Sequence, residues 1–571
     1  MKKIEYDVIF VGGGPANLAA ATRLVQIALE KKMALRIAIF EKGKEFGAHI
    51  LSGAVSNPRS IEKLFPDYQT SGFPLEGVCN DSKLIFLGIN KAVELPPFAT
   101  PAEMKKEGYL ILSLSDVCLF MADKLLEMTK DVENVIVDLY KGFGASSIVY
   151  DGERVAGVKV DSTGDELQDT CYAKVTVFGD KQFLSKDLYA KYNLADSEQA
   201  WAVGVKEIWE TGRDYSGKVW HTLGYPLLDG SVGGGFVYGL KNNRIALGVV
   251  VGLDSPNPEI RPPQLLQDLK KHPFVQQLIS DGKMIRYGAA LLPEGGYFAL
   301  PKRFAVAGAL LTGDALGVLD LKGFSGVDKA METGICAAEV IATALVANDF
   351  SESKLSGYKI RVMDGWVGQE LYAARYYRHS MGNSPKVFAG YLPEFAKQYE
   401  HSGLVTAGIS AFLAAPAGLT SEGLRMLKMM SGSRDFGTIR FAEDRSHIVP
   451  GYKRPVVAEP GEYDKSTVYS TDDIVFYAKT HYHEGLQHID EYSADVCRKC
   501  IKRFTTGGTK PPCVGDCTAE VHEVREANGM QSHAMNLENC IQCRTCEIVC
   551  PEKNLRLNPA AGGSGPDFQN M

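Results

Sequence analysis

Val8-Ile9-Phe10-Val11-Gly12-Gly13-Gly14-Pro15-Ala16-Asn17 decides the fold. The four apolar residues read as a buried parallel strand. After the glycine turn, Leu18-Ala19-Ala20-Ala21-Thr22-Arg23-Leu24 reads as a helix, and Leu35-Arg36-Ile37-Ala38-Ile39-Phe40 as a second strand that stops at Glu41. Strand, glycine turn, helix, strand and acid make the dinucleotide-binding unit of an α/β fold. Gly12 permits the tight turn. Gly14 lets the backbone approach a pyrophosphate, and the helix opening at Pro15 and Ala16 supplies free N–H groups and positive potential. Glu41 can accept from a ribose hydroxyl, and Lys42 beside it joins the candidate cofactor residues. The third glycine of the fingerprint is replaced by Asn17, which is expected to loosen helix–strand packing. The plain alternative is a glycine-rich turn that holds no ligand.

A second apolar strand, Phe304 to Leu311, stops at Thr312-Gly313-Asp314-Ala315. An aspartate in that place can accept from the ribityl chain of a flavin. Residues Gly323 to Ala338 are predicted to form the following helix, with Met331, Ile335 and Ala338 on its buried face. Gly313, Asp314 and Gly323 are therefore candidate FAD residues, against the alternative of an ordinary strand–turn–helix. Gly142-Phe143-Gly144 and Gly233-Gly234-Gly235 lack the flanks of another nucleotide unit. A nicotinamide site is thus not expected, and electrons must arrive by another route.

The cysteines offer that route. Of 12, only Cys79, Cys118, Cys171 and Cys336 precede residue 497. Met1 to Asp7 run into the first strand without an apolar signal core, so no signal peptide is expected. In a reducing compartment, clustered thiols bind metal. Cys540-Ile541-Gln542-Cys543-Arg544-Thr545-Cys546-Glu547-Ile548-Val549-Cys550-Pro551 is C-x2-C-x2-C-x3-C-P, the run of bacterial ferredoxins. Cys497, Cys500, Cys513 and Cys517 repeat it with a loop inserted. Crossing the fourth ligands predicts one 4Fe-4S cluster on Cys540, Cys543, Cys546 and Cys517. It predicts another on Cys497, Cys500, Cys513 and Cys550. Zinc would prefer paired C-x2-C knuckles closing one tetrahedron. The rest of the composition is ordinary for 571 residues: 45% hydrophobic, 23% charged, and a net charge of −7 that offers no basic face for nucleic acid.

Over nearly its whole length the chain resembles the electron transfer flavoprotein:quinone oxidoreductases. Gly47-Ala48-His49-Ile50-Leu51-Ser52-Gly53-Ala54, Ala173 to Phe178, His221 to Leu227, Leu247 to Asp254, Glu294 to Tyr297 and Gly562 to Pro566 carry the resemblance. Gly179-Asp180 departs from the family's Ala-Glu-Gly. The resemblance implies a mixed α/β architecture with three parts: a glutathione-reductase-like FAD domain, an inserted quinone-binding sheet domain and a ferredoxin-like iron–sulfur domain. It adds Ser52 and Gly53 to the FAD residues and places Gly233 and Gly234 against quinone, where a glycine bulge in a strand is the alternative. It assigns residues 1–80, 111–195 and 296–350 to FAD binding, and 81–110 and 196–295 to the quinone domain. Residues 351–450 become a helical, membrane-contacting region, and 451–571 a linker and iron–sulfur domain. Mitochondrial members carry one cluster, matched by Cys517, Cys540, Cys543 and Cys546. The added quartet resembles the two-cluster ferredoxin partners of bifurcating complexes.

The implied partners are an electron transfer flavoprotein heterodimer and a membrane quinone, at the cytoplasmic face of the membrane. Residues 404–419, LVTAGISAFLAAPAGL, carry no charge but number too few to span a bilayer. They fit a surface-inserted helix or a core helix, and Pro96-Pro97-Phe98 can belong to the same rim. His481, His483 and His488 read as surface histidines, and residues near 450–480 as a linker returning to the flavin domain. No side chain stands out as a nucleophile or proton donor, so no catalytic residue is assigned. Two rival readings are an electron conduit within a bifurcating assembly and a flavin reductase of prenyl chains.

Overall fold

The computed structural model describes residues 4–51, 55–96, 100–161, 168–180, 183–255, 257–382, 387–416, 421–431, 434–441, 448–452, 457–483, 487–558 and 561–571. The leading strand β1 spans Ile4–Val11, helix α1 Pro15–Lys31 and strand β2 Leu35–Glu41. Pro15 sits in the first turn of α1, where its missing N–H costs nothing, and Lys32 ends the helix in the left-handed region at φ 54°. β1 pairs in parallel with β2 and with Gln168–Phe178. The sheet runs Ala305–Val306, Ala309–Leu311, Gln168–Phe178, β1, β2, Val135–Lys141. Gly144–Asp151 and Arg154–Asp161 extend it antiparallel from Gln168–Phe178. Val8, Ile9 and Phe10 are wholly buried, as a central parallel strand requires.

The helix predicted from Gly323 begins four residues later, as Val327–Ala347. Asp320 and Ser325 exchange backbone hydrogen bonds of 2.9 and 3.0 Å, and this closed turn delays the helix. Met331, Ile335 and Ala338 are buried as expected. Among the described residues it is the one helix long and apolar enough to cross a membrane, yet most of it is buried. Gly334 lies so close to α1 that a Cβ there would sit 2.0 Å from the Ala16 carbonyl oxygen.

A second sheet has the order Lys283–Pro293, Trp201–Glu210, Arg244–Gly252, Gly233–Leu240, Lys218–Gly224, Asp81–Leu87, Ala92–Glu94. Only Lys218–Gly224 and Asp81–Leu87 run parallel. Helices Pro262–Lys271 and Pro273–Ile279 follow its third strand in the chain and complete its core. Residues 457–479 wrap back onto those helices rather than onto the flavin domain. The Asp464 N–H donates to Gln276 Oε1 at 2.9 Å and the Tyr469 N–H to Gln267 Oε1 at 2.9 Å. The linker follows the sheet domain because its amide acceptors, Gln267 and Gln276, lie on these helices.

The C-terminal segment forms helix Ala494–Thr506, the hairpin His522–Ala527/Met530–Met535, and short two-stranded pairs, including Ile489–Glu491 with Leu555–Leu557. Its tail crosses the flavin domain, where the Gly563 N–H donates to Lys42 O and the Phe568 N–H to Ala48 O, both at 2.7 Å. Of the three histidines read as surface residues, His481 and His483 are exposed, but His488 is buried with its ring stacked on Tyr482, 4.8 Å between centroids.

Candidate metal centres and flavin site

At the flavin end, Gly12 takes φ 91° and Gly313 φ 55°, conformations that glycine adopts without strain. A Cβ at Gly313 would meet the Ala16 Cβ at 2.9 Å, so the two candidate segments converge. Gly14 is the N-cap of α1 and no side chain caps the helix, which leaves first-turn N–H groups for an anion. Glu41 is buried and accepts from the Gly13 N–H at 2.8 Å through Oε2 and from the Gly43 N–H at 2.6 Å through Oε1. Burial raises its pKa against the lowering effect of these two bonds. Asp314 stands in the single turn Gly313–Ala315, which follows strand Ala309–Leu311. The donors and close backbone approaches fit a dinucleotide.

Two further candidates, Lys42 and Gly323, make contacts of their own. Lys42 extends its Nζ to Gln542 Oε1, 2.5 Å away, over the Phe183 ring, and burial pushes its pKa down to about 8. It thus ties the end of β2 to the cysteine loop. The Gly323 carbonyl accepts from the buried Lys106 Nζ at 2.6 Å. Ser52 and Gly53 lie outside the described residues, as do Pro97 and Phe98.

Asn17 does the opposite of loosening. Its Nδ2 donates to Val11 O at 2.8 Å and Gly12 O at 2.9 Å, and its Oδ1 accepts from Thr312 Oγ1 at 2.8 Å. A Cβ at Gly179 would lie 2.9 Å from its carboxamide. The departures at 17 and 179 are thus complementary: the glycine makes room for the amide.

The eight cysteines surround two cavities. One is lined by Cys497, Cys500, Cys513 and Cys550, the other by Cys517, Cys540, Cys543 and Cys546. These are the crossed quartets. Helix Ala494–Thr506 presents Cys497 and Cys500 one turn apart, with Ser493 as its cap. Cys546 lies on the short helix Thr545–Val549, and Cys550 ends it. Between Cys540 and Cys546, Gln542 and Arg544 take φ 53° and 67°, which folds the loop tightly enough for three sulfurs to face one cavity. N–H groups already point at sulfur: Gln542 N to Cys540 Sγ at 3.4 Å, Val521 N to Cys517 Sγ at 3.3 Å, Asn554 N to Cys550 Sγ at 3.2 Å and Asn554 Nδ2 to Cys497 Sγ at 3.2 Å. Burial pushes Cys497, Cys517 and Cys540 up to about 12 and Cys500 to about 11. Neighbouring thiolates oppose one another, so only a cationic guest makes deprotonation of a whole quartet favourable. This donor set fits an iron–sulfur cluster in each cavity.

The contacts that hold the quartets have no motif of their own. Lys186 bonds Glu547 at 3.1 Å, Glu547 pairs with Arg544 at 3.0 Å, and Tyr287 Oη donates to Thr518 O at 2.8 Å. The Lys186–Glu547 and Tyr287–Thr518 contacts join positions more than two hundred residues apart, which chain spacing does not reveal. In the second sheet, a Cβ at Gly233 would lie 2.1 Å from Val250 O, and one at Gly234 2.6 Å from Thr222 O. Close strand packing therefore requires glycine at both positions.

Comparison with known proteins agrees with this geometry. The family model described as ETF-QO, ubiquinone-binding, matches residues 201–292. That described as electron transfer flavoprotein-ubiquinone oxidoreductase, 4Fe-4S, matches residues 470–569. The chain is 32% identical over 589 residues to the electron transfer flavoprotein-ubiquinone oxidoreductase of Pseudomonas aeruginosa, covering 100% of this chain and 99% of that one. It is 29% identical over 594 residues to the mitochondrial protein of Homo sapiens, covering 99% and 89%. Among solved structures, a geranylgeranyl bacteriochlorophyll reductase-like protein from Thermoplasma acidophilum superposes with a TM-score of 0.55 at 15% identity, over 76% of this chain and 100% of that chain. The FAD-dependent halogenase CndH gives 0.50 at 16% identity, over 77% and 100%. These two share the fold. With a flavin cradle, cysteine quartets and a full-length relationship in sequence, the chain is an iron–sulfur flavoprotein oxidoreductase and belongs to the electron transfer flavoprotein-ubiquinone oxidoreductase family.

Proposed function

We propose that the protein accepts electrons from an electron transfer flavoprotein heterodimer and delivers them to a membrane quinone, as a monotopic protein of the cytoplasmic membrane face. The observation that carries this reading is the pair of cavities, each enclosed by one crossed quartet. When bound, FAD and two 4Fe-4S clusters supply the redox chemistry, the clusters passing single electrons and the flavin pairing them for a two-electron acceptor.

The chain binds, spaces and shields these groups. Gly12, Gly14, Ala16 and Gly313 form the close-approach cradle for the dinucleotide, and the uncapped N-terminus of α1 faces its phosphates. Lys42 and Gln542 hold the second quartet's loop against the flavin domain. The tail strand Gly565–Pro566 closes over that junction; a Cβ at Gly565 would lie 2.6 Å from both Gln542 Nε2 and His49. Gly233 and Gly234 are only part-buried, which leaves their backbone open to a flat quinone ring.

Membrane contact is supported by helix Leu404–Ala414. Only Ala407 and Ala411 are buried there, whereas Leu404, Val405, Ile409, Phe412 and Leu413 are exposed. Helix Ser421–Met430 adds exposed Leu424 and Leu427. A core helix would bury the larger side chains, so this arrangement suits insertion into a lipid surface.

The test is iron, acid-labile sulfide and flavin analysis of anaerobically purified protein, with quinone reduction by a reduced electron transfer flavoprotein. About eight iron and eight sulfide per FAD, with turnover, are expected for two cubanes. About four would refute the second cluster, and loaded protein without quinone turnover would favour the conduit reading.

A further inference from the structure

The hairpin His522–Ala527/Met530–Met535 lies between Cys517 and Cys540 in sequence. Its register sets Val524 opposite His533, which makes His522 and His533 diagonal neighbours on one face. His533 lines the cavity of Cys497, Cys500, Cys513 and Cys550. His522 lines the cavity of Cys517, Cys540, Cys543 and Cys546. The two rings lie nearly parallel, 7° apart, and His522 Nδ1 is 2.9 Å from His533 Nε2. The other nitrogen of His533, Nδ1, lies 2.6 Å from Glu491 Oε2 and 4.0 Å from Cys497 Sγ. The other nitrogen of His522, Nε2, is buried and has no hydrogen-bond partner among the described residues.

We propose that His522 and His533 are positioning residues that join the two cluster sites through one hydrogen-bonded imidazole pair. His533 is anchored on Glu491 beside the first quartet, and His522 directs its Nε2–H to sulfur in the second.

The hydrogen count supports this orientation. Iron-bound sulfur only accepts, so the proton at that end belongs to His522 Nε2. His522 Nδ1 then accepts from His533 Nε2–H. A carboxylate also only accepts, so Glu491 receives His533 Nδ1–H. Every nitrogen of the pair is then satisfied, including the one without a partner among the described residues. Hydrogen bonds to sulfur set cluster potentials, so the second cluster's potential depends on a side chain at the first. This inference rests on the two-cluster reading.

The experiment is an EPR-monitored redox titration of the holoprotein and its variants, with a Cys500→Ser protein used to assign the signals. His522→Phe keeps a flat ring and removes the donor. It is expected to lower the second cluster's potential, changing its oxidised-to-reduced ratio about tenfold at fixed potential, about 59 mV for one electron. His533→Phe touches the first cavity, yet it is expected to shift the second cluster in the same direction. The double variant should shift it no further than His522→Phe alone. Should the Phe variants lose iron, His533→Gln keeps a donor for Glu491, breaks the link to His522 and is expected to give the same downward shift. A His533 variant that retains both clusters and leaves the second potential unmoved overturns the proposal. So do additive shifts. Wild-type protein with only about four iron would defeat the two-cluster reading itself, and the bridge with it.

Discussion

Asn17 and Gly179 show how two departures from a family pattern make one solution. The buried amide serves two carbonyl oxygens and one hydroxyl. Asn17→Ala should cost about 1–3 kcal/mol by leaving those groups unpaired. Gly179→Ala should cost about as much by crowding the amide. The double variant should cost less than the sum, a result that thermal melting and retained FAD can check. Lys206 gives a residue-scale prediction in pH. It is buried on strand Trp201–Glu210, and burial pushes its pKa down to about 7 against the opposing pull of Glu76 and Asp116. The unfolded chain then binds more protons than the folded one between about pH 7 and the ordinary lysine value near 10.5. Wild-type stability should rise relative to Lys206→Met over that window, as measured by denaturant titration at several pH values. An unchanged difference would contradict it.

At the scale of elements, Arg378 on helix Tyr377–Gly382 fastens the helical region to the second sheet. Its Nη2 donates to both Asp254 oxygens at 2.7 Å, just beyond strand Arg244–Gly252. Its Nε donates to Glu294 at 3.1 Å, just beyond strand Lys283–Pro293. Burial raises the Glu294 pKa to about 7, with Arg378 opposing the shift. Removing the guanidinium leaves a buried carboxyl alone, so Arg378→Met should destabilise the protein by about 3–5 kcal/mol. Restoring neutrality with Arg378→Met/Glu294→Gln should recover part of that loss in a melting experiment. The start of the long helix belongs to this scale too. Its apolar periodicity was readable, but the turn closed by Asp320 and Ser325, which delays it to Val327, was not. That turn depends on a backbone pairing rather than on a side-chain pattern.

At the scale of the molecule, the exposed row on Leu404–Ala414 predicts lipid binding. Val405 and Leu413 are 76% and 73% exposed and touch little protein. Val405→Lys/Leu413→Lys should lower binding to liposomes several-fold while leaving the melting temperature nearly unchanged. Equal binding by both proteins in a flotation assay would contradict this. The sequence by itself determined the dinucleotide-binding unit and the grouping of the eight cysteines. Turn glycines, strand periodicity and the spacing of thiols on one tight loop are local constraints, and neighbours in the chain carry them. Tertiary structure alone decided that Asn17 strengthens the packing, that Lys42 reaches the cysteine loop, that residues 457–479 lie on the sheet domain, and that two histidines stand between the quartets. Each of these depends on a contact between segments brought together by folding, where the energy lies in burying and pairing polar groups rather than in the preferences of a short stretch of chain.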